Sequence, residues 1–130
     1  MGKRRKPPAS LFVYGLLRPD VVPDNGPAEV RHAEDYGPAT TSGTLFDVSG
    51  NFPAAVRGGG TLHGRLLHWP GGVDWRGLDR FEGCDESPPL FVRTRTIVRW
   101  TEGDVEAWIY WWARGHDHLK AIPSGRWESR

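Results

Sequence analysis

Glu82 stands between the apolar Phe81 and Gly83, at the point where a helix-forming run stops. A carboxyl pinned there against an apolar wall would lose hydration, which raises its pKa above the reference value of about 4.3 and makes it a stronger base. Local sequence by itself favours the plainer alternative, a solvated glutamate at a helix end. A second candidate is Tyr14-Gly15-Leu16-Leu17-Arg18, which follows directly on the apolar Leu11, Phe12 and Val13. Either a core strand turns at Gly15 and Arg18 returns to solvent, or the backbone N–H groups around Gly15 face an anion that glycine lets approach closely.

Other reactive residue types carry less. Cys84 is the one cysteine, so an intrachain disulfide or a multi-cysteine metal site is excluded, and beside a core helix it reads as incidental rather than nucleophilic. Of five histidines only His116 and His118 lie close together, without a matching ligand motif elsewhere, so no metal is expected. The chain has no Gly-x-Ser-x-Gly, no Walker loop and no Gly-x-Gly-x-x-Gly after its first strand, and Gly58-Gly59-Gly60 reads as a flexible turn rather than a phosphate cradle.

Composition narrows the setting. At 130 residues, with 38% hydrophobic residues and seven tryptophans, the chain has material for one domain with one aromatic-rich core. Net charge is +1, but Lys3, Arg4, Arg5 and Lys6 form a basic tail, and the remainder carries thirteen basic against sixteen acidic residues. A mildly acidic body does not match the basic face of a nucleic-acid binder, so no nucleic-acid partner is expected. Pro7 and Pro8 follow the basic tail and fewer than ten apolar residues succeed them, which fits neither a signal peptide nor a membrane span. The cytoplasm is the expected location, and oligomeric state is left open. Residues 1–9 are expected to be a disordered basic tail and residues 10–130 a single domain.

The elements that must position Glu82 and the glycine turn follow from periodicity. Leu11–Tyr14 is continuously apolar and β-forming, as a buried strand should be. Residues 19–37 read as an irregular excursion with a short helix over Ala28–Asp35. Thr40–Val48 and Thr61–Trp69 are strand candidates, with a turn at Gly50-Asn51. Val73, Trp75, Leu78 and Phe81 recur at helical spacing behind Asp74, a suitable N-cap, and Gly83 is a suitable stop. Leu90–Trp100 alternates like a two-sided strand, and Gly103-Asp104 turns the chain into Val105–Trp112. An irregular cap, Ile122–Trp127, should dock its tryptophan on the body. Several strands with one clear helix and no βαβ alternation point to an α+β fold built on a small, strongly curved or barrel-like sheet.

Seven motifs occur in order: Tyr14-Gly15-Leu16-Leu17-Arg18, Phe52-Pro53-Ala54, Gly64 within Leu62–Leu67, Leu78-Asp79-Arg80-Phe81-Glu82-Gly83, Phe91-x-Arg93, Ala107-x-x-Tyr110 and Ile122–Trp127. Together they resemble the γ-glutamylcyclotransferase-like, or AIG2-like, family. The resemblance implies a small mixed-strand β-barrel with flanking short helices. It implies release of 5-oxoproline from a γ-glutamyl amine or amino acid by attack of the substrate's own α-amine, without metal, cofactor or protein nucleophile. Carried over, Glu82 is the general acid/base, Tyr14, Gly15, Leu16, Leu17 and Arg18 form the carboxylate-binding turn, and Tyr110 lines the pocket. Leu16 departs from the usual Ser or Thr, Arg65 from a common glutamate, Phe52 and Phe91 from common tyrosines, and Arg126 from an acidic residue. The Leu16 departure motivates an alternative: a non-catalytic or regulatory domain that keeps the pocket and binds a small carboxylate.

Overall fold

A computed structural model of the protein describes residues 9–15, 17–18 and 27–127. Its strands are β1 (Ser10–Val13), β2 (Glu34–Val48), β3 (Phe52–His68), β4 (Phe91–Trp100), β5 (Gly103–Trp112) and β6 (Lys120–Ile122), with one α-helix, α1 (Trp75–Phe81), between β3 and β4. Pairing runs β3-β1-β5-β4-β2, and β2 returns to β3, so five strands close into a barrel while β6 adds to β2. The β1–β5 pair is parallel and the others are antiparallel. Closure leaves few unpaired edges for a sheet this small. The small mixed-strand barrel expected from the sequence is the fold that forms.

Alternation along the strands divides the apolar residues between two clusters. Phe12, Leu45, Leu62, Leu66, Val98, Ala107, Ile109 and Trp111 pack together as one. Leu11, Val13, Leu67 and Tyr110 point the other way, where Leu78 of α1 covers them with Trp69 and Phe91. Because both faces of β1 are covered, Leu11, Phe12 and Val13 are all buried, which explains an apolar run without alternation. Gly64 lies where a Cβ would collide with the Val13 carbonyl, so the closeness of β1 to β3 requires glycine there.

Helix α1 begins where expected. The Asp74 side chain accepts from the Arg76 N–H at 3.0 Å, filling one of the donors a helix start leaves open. It ends in a Schellman arrangement: the Gly83 N–H donates to the Arg80 carbonyl at 3.0 Å and the Cys84 N–H to the Asp79 carbonyl at 2.9 Å. Gly83 has φ +71°, the left-handed conformation this stop demands.

Several boundaries differ from expectation. Tyr14 lies just beyond β1, and Ala28–Asp35 divides into a 3-10 turn over Ala28–His32 and the start of β2 at Glu34. Gly58-Gly59-Gly60 does not separate two strands but lies within β3. Ser42 pairs with Thr61 and Thr44 with Val56, so residues 57–60 bulge opposite Gly43, and the Thr44 hydroxyl secures the bulge by donating to the Gly58 carbonyl at 2.8 Å. Part of the C-terminal segment is regular, since Lys120–Ile122 pairs with Leu45–Asp47. Beyond it Trp127 is buried against the first cluster, and the Gly125 carbonyl accepts from the His63 N–H at 2.8 Å. The tail assigned to residues 1–9 falls outside the described residues except for Ala9, whose carbonyl accepts from the Trp69 N–H at 2.9 Å. Among the described residues no helix is long and apolar enough to cross a membrane.

Candidate functional site

The end of β1, the start of β3, the end of α1 and strand β5 surround a cavity of about 210 Å³. Its wall is mostly aromatic and aliphatic, including Phe12, Phe52, Phe81, Leu90 and Phe91. Into this wall are set Glu82, the Tyr14 and Gly15 end of β1, Leu17 and Tyr110.

Glu82 is the C-cap of α1. Its N–H donates to the Leu78 carbonyl at 3.0 Å, and Gly83 behind it closes the helix. Among the described residues its carboxyl has no hydrogen-bond or ion-pair partner. Burial therefore acts unopposed and pushes its pKa from the usual 4.5 up to about 8. Such a group holds its proton through neutral pH and gives it up just above, as a general acid/base needs to.

The turn after β1 is fixed by packing. A Cβ on Gly15 would overlap the Pro53 ring, so here glycine is required by the approach of β3 to β1. The Arg18 N–H donates to the Gly15 carbonyl at 2.9 Å, closing a four-residue turn. That bond occupies the Arg18 amide, and the Arg18 Nη1 donates to the Trp127 carbonyl at 3.0 Å. Arg18 is not among the residues lining the cavity, and its guanidinium ties the turn to the C-terminal cap. Leu16, also expected in the binding turn, lies outside the described residues.

Two tyrosines join the strands around Glu82. The Tyr14 hydroxyl donates to the Tyr110 backbone carbonyl. Burial, followed by the Glu82 charge, holds the Tyr14 phenol well above its usual pKa, partly offset by a hydrogen bond that its oxygen accepts from the Ala55 backbone. The Tyr110 hydroxyl donates to the Asp79 Oδ1 at 2.7 Å. Burial, that bond and the nearby Asp79 charge hold the Tyr110 proton firmly, and the Glu82 charge adds to the effect while Arg93 opposes it.

Asp79 is in turn gripped by Arg93 through two bonds, Nε to Oδ1 at 2.8 Å and Nη2 to Oδ2 at 3.1 Å. The guanidinium is sandwiched between Trp75 and Trp108, 4.3 and 4.4 Å from their ring centres. Asp79 and Arg93 stand within the sequence motifs, but neither carries a site role there. The available signal was helical spacing, since Asp79 precedes Glu82 by three residues and so shares its face of α1. Phe12, Val13, Phe81 and Leu90 were likewise unassigned.

Cys84 is no nucleophile at neutral pH. Burial, together with the nearby Asp79, Glu82 and Asp85 charges, pushes its thiol up to about 12, with Arg93 opposing. The His116 ring lies 5.1 Å from that of Phe46, and no group of three potential metal ligands occurs among the described residues.

A family profile described as "Gamma-glutamyl cyclotransferase, AIG2-like" matches residues 11–129. Among solved structures, an AIG2-like protein from Mus musculus superposes with a TM-score of 0.66 at 22% identity, covering 96% of this chain and 98% of the mouse chain. YtfP from Escherichia coli gives a TM-score of 0.61 at 28% identity, over 91% of this chain and 95% of that one. YkqA from Bacillus subtilis gives 0.66 at 22% identity over 92% of this chain, which spans only 39% of the length of YkqA. No curated protein matches the sequence significantly. With the profile running from β1 through the C-terminal cap and the barrel shared with these structures, the chain belongs to the γ-glutamyl cyclotransferase, AIG2-like family.

Proposed function

We propose that the protein is a γ-glutamyl cyclotransferase that releases 5-oxoproline from a γ-glutamyl amine or γ-glutamyl amino acid, with Glu82 as its acid/base. The observation that carries this reading is the Glu82 carboxyl, half-buried in the wall of a mostly apolar cavity without a neutralising partner among the described residues. Family membership supplies the reaction class.

In this reaction the Glu82 carboxylate takes a proton from the substrate's α-ammonium. The freed amine attacks the γ-carbonyl carbon and forms the ring C–N bond. Glu82 then returns that proton to the departing nitrogen as the original amide C–N bond breaks. The surplus proton on the ring nitrogen passes through the Glu82 carboxylate to the released amine, leaving 5-oxoproline with its single lactam N–H and a free ammonium. The cavity wall excludes water and holds the chain bent into the five-membered geometry, replacing a random encounter with a positioned one. Backbone N–H groups of the Gly15 turn are the proposed donors to the substrate's α-carboxylate, with Tyr14, Leu17 and Tyr110 flanking it. No metal, cofactor or protein nucleophile enters these steps.

A pocket kept only to bind a carboxylate gains nothing from a second carboxyl that repels its ligand once ionised, so Glu82 favours catalysis over the non-catalytic alternative. The test offers purified protein a panel of γ-glutamyl amino acids, γ-glutamyl amines and glutathione, with product detected by mass spectrometry. Formation of 5-oxoproline from at least one member is expected. Absence of product from every member, with the protein folded, would contradict the proposal.

A further inference from the structure

The Tyr110 hydroxyl has one proton and two acceptor lone pairs. Its proton is already committed, because the hydroxyl donates to Asp79 at 2.7 Å. Asp79 cannot turn away, since the Arg93 fork holds both its oxygens and the Arg93 plane is itself wedged between Trp75 and Trp108. Tyr110 also lines the cavity, close enough to Glu82 for the carboxylate charge to act on its hydroxyl. What this hydroxyl has left to offer a ligand is therefore an acceptor.

We propose that Asp79 and Arg93 are positioning residues that lock the Tyr110 proton outward, so that the Tyr110 oxygen accepts a hydrogen bond from the reacting nitrogen of the substrate and, after ring closure, from the lactam N–H. The proposal rests on the cyclotransferase reading and adds to it a second acceptor beside Glu82. An α-ammonium carries three N–H donors. Glu82 removes one proton while Tyr110 accepts a hydrogen bond from another, which orients the lone pair freed by deprotonation toward the γ-carbonyl. A freely rotating tyrosine would instead present its own proton to that nitrogen in part of its population.

The test measures calorimetric binding of two product-shaped ligands to the full chain: 5-oxoproline and 5-oxotetrahydrofuran-2-carboxylate, which has a ring oxygen in place of the N–H. Wild type is expected to prefer the lactam by roughly tenfold, the value of about one hydrogen bond. In Tyr110→Phe, which leaves the Asp79–Arg93 pair intact, the preference should fall to roughly twofold or less, as one acceptor is removed. Asp79→Asn should also shrink it, because one terminal atom becomes a donor and Arg93 and Tyr110 compete for the single remaining oxygen. Should that variant not fold, Arg93→Lys keeps a cation between the indoles but loses the fork, and a reduced preference is again expected. An unchanged preference in Tyr110→Phe, or in the folded variant of Asp79 or Arg93, would overturn the inference alone. Failure of wild type to bind either ligand would overturn the inference, whereas the cyclotransferase reading falls only if no member of the γ-glutamyl panel yields 5-oxoproline.

Discussion

At the scale of single residues the central fact is the ionisation of Glu82. Its pKa is raised by burial from 4.5 to about 8, so the folded protein holds a proton there that the unfolded chain releases. Between those values the native state binds more protons than the unfolded state, and stability falls as pH rises. Urea unfolding should show wild type losing stability relative to Glu82→Gln from pH 5 to pH 8, with the difference levelling off above. Activity should move in the opposite sense: kcat/KM for a γ-glutamyl substrate is expected to climb with pH up to about 8, as Glu82 reaches its basic form. A limb near the ordinary glutamate value would contradict the environment described here.

At the scale of elements, α1 and its stop deliver Glu82 to the cavity. Gly83 combines φ +71° with close neighbours, since a Cβ would overlap the Glu86 carboxylate and lie 2.9 Å from the Leu90 Cβ. Gly83→Ala should destabilise the fold by about 1–2 kcal/mol in urea titration and lower kcat/KM without altering the chemistry of Glu82. This element was legible in the sequence because apolar spacing, Asp74 and Gly83 agree on where it begins and ends. β1 was legible as a run without alternation, and so was the β4–β5 hairpin, although its turn is Thr101-Glu102 and Gly103-Asp104, expected to be the turn, is already paired within β5. The bulge at residues 57–60 was not, since three consecutive glycines signal a break unless a partner strand holds them, as Thr44 does here. Nor was β6, three residues whose order comes from pairing with Leu45–Asp47.

At the scale of the molecule, the cavity exists because closure brings the end of β1, the start of β3, α1 and β5 together. Glu82 and the Gly15 turn could be picked out as candidates from the chain alone. The Asp79–Arg93–Tyr110 network could not, because its members lie 14 and 31 positions from Asp79 and meet only after folding. The C-terminal cap closes the assembly through Trp127, which is 6% exposed and whose carbonyl receives Arg18 from the turn after β1. Trp127→Ala should cost about 3 kcal/mol in thermal or urea unfolding, as expected for a large buried aromatic. A loss below about 1 kcal/mol, less than usual for such a truncation, would show that the cap is peripheral.

The most direct test of the account compares wild type and Glu82→Gln in water enriched in oxygen-18, supplied with a γ-glutamyl substrate carrying nitrogen-15 at its α-amine. The account predicts 5-oxoproline that retains the nitrogen label and carries no oxygen-18 from wild type, and a rate at least about 100-fold lower from Glu82→Gln. Oxygen-18-labelled glutamate would mean hydrolysis instead of cyclisation, and undiminished turnover by Glu82→Gln would remove Glu82 from the chemistry.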